Sequence, residues 1–209
     1  MPILSRLQDD DTALLSAYRK YIKTCSLVIF FVMTLLAALA EPFVVAVYGE
    51  KWQPAVIFLQ IFCLSFMFYH IHAINVSLLL AKGRSDLNLR IEIAKKLIVA
   101  VGLVVSIPLG VLAICITSLV TSQLSLIVNT YYTRKLFNFG YLKQWKDFSP
   151  YILYSLISCI PSITLSYSSI NSWICLFAGG ILSFLTYLLI LIFTKDEAKI
   201  GRASCRERV

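Results

Sequence analysis

Long apolar runs are separated by short connections, and positive charge is confined to every second connection. Fifteen of the nineteen Lys and Arg residues obey this alternation. Arg6, Arg19, Lys20 and Lys23 precede the first run, and Lys82, Arg84, Arg90, Lys95 and Lys96 follow the second. Arg134, Lys135, Lys143 and Lys146 follow the fourth, and Lys195 and Lys199 follow the sixth. The intervening connections hold only Lys51. Short loops of multi-pass membrane proteins keep Lys and Arg on the cytoplasmic side. The pattern therefore predicts an all-α, polytopic transmembrane helical bundle of about six spans with both ends cytoplasmic.

Composition agrees with a chain dissolved in lipid. Apolar residues make up 59% and charged residues 14%, with a mean hydropathy of +0.81, whereas soluble domains carry about 25% charged residues. The net charge of +8 does not predict nucleic-acid binding, because the basic residues are spread over loops at headgroup depth. Cys25, Cys63, Cys115, Cys159 and Cys175 lie in or at the ends of apolar runs, where cysteine behaves as a small hydrophobe.

A hydrocarbon core of roughly 30 Å takes about 20 apolar residues in helical form. On that basis residues 1–23 read as a cytoplasmic amphipathic segment, with Leu7, Leu14, Leu15, Tyr18 and Ile22 among charges. Its spacing fits a helix on the membrane surface and equally an ordinary solvated helix. The membrane bundle covers 24–194, with spans at about 24–48, 54–80, 97–109, 111–132, 151–165 and 173–193. Pro108-Leu109-Gly110 divides a run too long for one crossing. Trp52 and Trp173 fall at the outer ends and Trp145, Tyr131 and Tyr132 at the inner ends, as interfacial aromatic belts do. Residues 195–199 form a cytoplasmic end. Ile200 to Val209 looks like one reading frame of a sequencing-adapter oligonucleotide and is set aside from functional reasoning.

Several short stretches, in order and spacing, carry a family resemblance. They are Pro2-Ile3-Leu4-Ser5-Arg6-Leu7-Gln8-Asp9-Asp10, Ala40-Glu41-Pro42, Gly49-Glu50-Lys51-Trp52, Ile71-His72-Ala73-Ile74-Asn75 and Lys82-Gly83-Arg84-Ser85-Asp86. Over residues 1 to about 194 the chain resembles the polysaccharide transporter family, the O-antigen and exopolysaccharide flippases of the multidrug/oligosaccharidyl-lipid/polysaccharide exporter superfamily. The resemblance implies a bacterial inner-membrane protein of about 12 to 14 helices in two lobes, working by alternating access around a midplane site. The implied cargo is an undecaprenyl-diphosphate-linked oligosaccharide, with polysaccharide assembly proteins as partners. The match runs from the end of the eighth helix of that fold onward, so the chain reads as an incomplete fragment.

Polar groups at membrane depth are costly and are therefore candidates for function. In span two, Gln60, His72 and Asn75 fall within an arc of about 120° on a continuous helix, while His70 lies off it. That face would line a cavity, binding sugar hydroxyls or a pyrophosphate or taking up a proton. Alternatively, its groups bond to neighbouring helices. Glu41, beside the kink expected at Pro42, fits a coupling cation or proton and also a hydrated interfacial carboxylate. Arg84 and Arg90 are candidates for phosphate contact on the cytoplasmic face, or for headgroup anchoring.

A drug or cation antiporter of the same superfamily fits the residues as well as a flippase does. A membrane-embedded polymerase or acyltransferase fits them worse. Asp9-Asp10-Asp11 is better read as polar capping of a helix start. His70 and His72 share no helical face and have no third ligand. The sequence accordingly assigns no catalytic residue, metal or cofactor. Sequencing the genomic locus through both ends is expected to extend the frame upstream by about eight helices, the number that resemblance and its repeated-lobe logic require, and to remove the Ile200 to Val209 string. A frame that keeps Met1 and the tail unchanged would contradict the fragment reading.

Overall fold

Asp10 starts the first helix. Its carboxylate accepts hydrogen bonds from the Thr12 and Ala13 backbone N–H groups at 2.9 and 3.0 Å and from the Thr12 hydroxyl at 2.6 Å. These bonds, the Thr12 hydroxyl foremost, hold the exposed carboxyl below the ordinary aspartate range. The computed structural model describes residues 10–166, 168 and 171–194. Arg6, Leu7, Asp9, Lys195, Lys199 and the 200–209 string, Cys205 included, lie outside the described residues.

The described helices, in chain order, are α1 (Asp11–Ala38), α2 (Ala40–Tyr48), α3 (Val56–Phe66), α4 (Tyr69–Ala81), α5 (Ser85–Ser106), α6 (Val111–Phe137), α7 (Tyr141–Ser158), α8 (Ile160–Ser166) and α9 (Ser172–Phe193). A 3-10 turn over Glu50–Ala55 joins α2 to α3. Several breaks fall where the sequence places a proline. Pro42 sits in the first turn of α2, just after the break at Leu39. Pro161 begins α8 beyond the break at Cys159, and Pro108 lies in the tight turn before α6. Helix α4 ends in a Schellman turn: Gly83, at φ 67°, donates its N–H to the Leu80 carbonyl and Arg84 donates to that of Leu79.

Among the described residues, five helical stretches are long and apolar enough to cross a membrane: Asp11–Ala38, Glu50–Ala81, Val111–Phe137, Tyr141–Ser166 and Ser172–Phe193. The expected third span lies on α5. That helix is long enough, but Arg90, Glu92, Lys95 and Lys96 occupy its first half and leave the apolar stretch short. The chain is a multi-pass helical membrane protein, and its surface shows why. Val101, Val104, Leu109, Val111, Phe177, Ile181, Leu189 and Phe193 are exposed, while Ser26, Asn129, Thr133, Ser155, Ser158, Ser162 and Ser183 are buried. Lipid tails solvate the first set, and small or polar residues let helices approach and bond within the bundle.

Helix α1 is the spine. Leu14, Tyr18, Ile22, Ser26, Phe30 and Thr34 are buried at successive intervals of four residues. This corrects the reading of the segment before Lys23 as a surface or solvated helix. The helix runs unbroken from Asp11, and Leu14, Tyr18 and Ile22 join Phe30, Met67, Ile71, Leu126 and Phe148 in the main core. Trp145 lies near the start of α7, between Lys143 and Lys146. It packs against Phe68, Phe148 and Tyr141, with ring centroids 4.9–6.1 Å apart. Helix α5 lies against α6 through Gly102, where an added Cβ would stand 2.8 Å from the Thr117 methyl and 2.9 Å from that of Thr121.

Four helices meet at one fully buried amide. The Oδ1 of Asn75 on α4 accepts from the Tyr18 hydroxyl of α1 at 2.7 Å, the Thr133 hydroxyl of α6 at 3.1 Å and the Gln144 Nε2 of α7 at 3.1 Å. Its Nδ2 donates to Gln144 Oε1 at 3.1 Å and to the Ile71 carbonyl at 3.0 Å. Tyr18, Asn75 and Thr133 are 0% exposed and Gln144 is 1% exposed. An Asn75→Ala variant strands these donors in the core and is expected to cost about 1–3 kcal/mol of stability. Because Asn75 and Gln144 share bonds, the cost of Asn75→Ala/Gln144→Ala should fall below the sum of the single costs. Unfolding in detergent measures both, and strict additivity would argue against a shared node.

Candidate functional site: a polar cavity between α3, α4, α5 and α6

Beside the node, the wall formed by α4 and α6 opens. A cavity of about 750 Å³ is bounded by Phe62, Ser65 and Phe66 of α3, Tyr69, His72, Ala73 and Val76 of α4, Glu92, Lys95, Lys96 and Val99 of α5, and Ser118, Thr121, Ser122 and Ser125 of α6. The break at Met67 and Phe68 between α3 and α4 turns His72 toward this space. Asn129, fully buried on α6, donates through Nδ2 to His72 Nδ1 at 2.9 Å. That bond orients the ring. On the facing helix, Lys95 donates to Glu92 Oε1 at 2.5 Å. The Ser122 hydroxyl donates to the Ser65 carbonyl at 3.2 Å, and the Ser65 and Ser118 hydroxyls lie 3.4 Å apart. The cavity thus joins a histidine, an ion pair, a second lysine and a column of hydroxyls to apolar walls. Those donors and acceptors suit a polyhydroxylated, anionic molecule.

The structure separates the expected trio. Only His72 reaches this cavity. Asn75 belongs to the buried node, and Gln60 donates through Nε2 to the Ala37 carbonyl at 3.2 Å, next to the α1–α2 break. The helical projection that grouped them assumed a continuous helix from 60 to 75, and the Met67–Phe68 break changes its phase. His70 turns inward, with Nε2 2.9 Å from the Ser26 hydroxyl. Among the described residues no three His, Cys, Asp or Glu side chains gather as a metal site.

Arg84 is exposed and bonded to Asp86 at 3.1 and 3.2 Å, a contact that holds the Asp86 carboxyl below its ordinary range. Arg90 is likewise exposed, so the cations lining the cavity are Lys95 and Lys96. Glu41 lies at the opposite end of α1, where Gln53 donates to it at 2.8 Å. It lines a smaller cavity of about 230 Å³ with Glu50, Ser166, Ser168 and Ser172.

Sequence reasoning missed Glu92 and Lys95, placing them in a loop although both lie on α5. It also missed Ser118, Ser122, Ser125 and Asn129. Their spacing of four, three and four residues is one helical face, a signal hidden by the apolar residues between them.

The described chain is thus a polytopic helical bundle with a cavity between α3, α4, α5 and α6. Comparison with known proteins narrows the class. Residues 1–57 match the polysaccharide biosynthesis protein family. An uncharacterized membrane protein in the cps region of Klebsiella pneumoniae is 33% identical over 97 residues, which is 46% of this chain and 20% of that protein. The teichuronic acid biosynthesis protein TuaB of Bacillus subtilis (strain 168) is 31% identical over 86 residues, 41% of this chain and 18% of that protein. The matched segments therefore span about a fifth of the length of these relatives. No solved structure matches the chain. Over these segments the chain is similar to polysaccharide biosynthesis membrane proteins.

If the cavity admits water, thiols placed on its wall should react with a membrane-impermeant maleimide. In a cysteine-free background, Ser122→Cys and Ala73→Cys are expected to label in native membranes. Thr133→Cys, sealed in the node, should label only after denaturation. Equal labelling of all three would contradict the cavity.

Proposed function

We propose that this chain forms part of a flippase that moves a lipid-linked oligosaccharide from the cytoplasmic to the outer leaflet of the bacterial inner membrane, for surface polysaccharide synthesis. The observation that carries this reading is the α3–α6 cavity, in which His72 and the α6 hydroxyls face Lys95 and Lys96. The hydroxyls and His72 suit sugar hydroxyl groups, and the lysines suit the diphosphate of the carrier. The apolar face beside the cavity suits its hydrocarbon tail. Arg84 and Arg90, exposed at the charged end of the bundle, are the first contacts for that diphosphate.

The orientation follows from charge. The Arg19–Asp147 pair and the Lys82–Asp11 pair tie the start of α1 to the start of α7 and to the α4–α5 connection. Arg134, Lys135, Lys143 and Lys146 belong to that same end, which we assign to the cytoplasm. On this reading α5 is a sixth crossing whose charged first turns stand at the interface. Glu41, hydrated in the smaller cavity at the other end, is the candidate for a coupling cation or proton. The family matches support polysaccharide export over drug exchange.

In the complete gene product, His72→Ala is expected to lower polysaccharide export at least tenfold, since its loss unpairs the buried Asn129 amide and removes a cavity group. The amount of protein in the membrane should stay unchanged. Asn75→Ala should instead lower that amount. Unchanged export in His72→Ala, measured in a strain lacking the chromosomal gene, would remove the cavity from the transport path.

A further inference from the structure

A third cavity, of about 360 Å³, opens at the basic end of the bundle. Its walls are Leu15 and Arg19 of α1, Phe137, Asn138 and Phe139 at the α6–α7 turn, and Lys143, Lys146 and Asp147 of α7. We infer that this cavity is a binding site for the phosphodiester headgroup of an anionic phospholipid.

Three features on the page point the same way. First, the lining carries three cations against one carboxylate, and that carboxylate is already committed. Asp147, 7% exposed, accepts from Arg19 Nε at 2.7 Å and Nη2 at 2.8 Å. The guanidinium is fixed from the other direction by the Phe139 ring, whose centroid lies 5.2 Å away. The Arg19–Asp147 pair is thus fixed and close to neutral, and the net positive charge of the lining is that of Lys143 and Lys146. Second, Lys143 and Lys146 are three residues apart on α7, so their stems share a helix face. Lys143 donates to the Asn138 carbonyl at 2.7 Å, which anchors its ammonium at the mouth and leaves further N–H donors for an anion. Asn138 supplies that carbonyl from a left-handed backbone, φ 52°, at the end of α6. Third, Leu15, Phe137 and Phe139 give the same cavity an apolar side. A lipid presents phosphate and hydrocarbon together at this depth, whereas a free phosphate has no use for the apolar wall. Basic pockets between transmembrane helices on the cytoplasmic side bind anionic headgroups for these reasons.

The site has a structural consequence of its own. A lipid held there touches α1, the α6–α7 turn and α7 on the surface above the Asn75 node, so it would brace the fixed part of the bundle rather than travel through it. This inference does not depend on what the protein transports, and its test uses no transport assay.

The complete gene product, purified in mild detergent, is titrated with phosphatidylglycerol and read by native mass spectrometry and thermal unfolding. One retained phosphatidylglycerol and a raised unfolding temperature are expected. In Lys143→Ala/Lys146→Ala, affinity for that lipid should drop about tenfold or more. Lys146 is exposed and makes no side-chain hydrogen bond or ion pair among the described residues, so Lys146→Gln alone should give part of the loss, should the double variant fold poorly. Lys135→Ala, in the same basic connection but outside the cavity, should bind like wild type. Inorganic phosphate at millimolar concentration should not displace the lipid. Loss of binding in Lys135→Ala equal to that in the double variant would mean diffuse surface charge and would overturn the site. Displacement by inorganic phosphate would overturn the lipid assignment, as would undiminished binding in both lysine variants.

Discussion

The arrangement of this bundle rests on one amide that water cannot reach. Asn75 gathers donors from α1, α6 and α7 and returns one to α7. In lipid the apolar surfaces of helices gain little from meeting one another, so directional bonds and small-residue contacts decide which faces meet. The node places α4 against three partners at one level. Elsewhere along the spine, Tyr187 of α9 donates to the Leu27 carbonyl at 2.5 Å. Ser162 of α8 donates to the Gly179 carbonyl at 2.8 Å and lies 2.6 Å from the Ser183 hydroxyl. Each contact is made by a residue that an ordinary core would not choose.

His72 stands three residues before Asn75, and Asn129 four before Thr133, so on each helix the two positions lie on neighbouring parts of one face. Tyr18, Asn75, Thr133 and Gln144 close the bundle, and His72, held by the buried Asn129, borders the cavity beside it. Helix α5 packs closely on α6 through the Gly102 contact and carries Glu92, Lys95 and Lys96 on the cavity side.

Much of this was legible in the sequence. The alternation of basic connections and the apolar runs gave the helical membrane class. Asp10 marked the start of α1, and Pro42 and Pro108 marked breaks that the structure contains. The proline rule is local, so it survives without tertiary information. What was not legible depends on geometry between helices. The Met67–Phe68 break carries no proline or glycine, so a helical projection from Gln60 to Asn75 ran through it unbroken. Tyr18 looked like part of an amphipathic surface because Asn75, which its hydroxyl bonds, lies 57 residues away in sequence, farther than any periodicity can reach. Glu92 and Lys95 were assigned to a loop because charge usually marks one. On α5 they satisfy each other, and helix and charge coexist.

The central claim is that a complete protein containing this chain moves a lipid-linked sugar. It is tested most directly in proteoliposomes, by following a fluorescent polyprenyl-diphosphate oligosaccharide and, in parallel, a small cationic drug. The sugar lipid should become accessible to an impermeant reagent on the far leaflet while the drug stays where it was loaded. Movement of the drug without the sugar lipid would assign the cavity to the antiporter alternative and contradict the flippase reading.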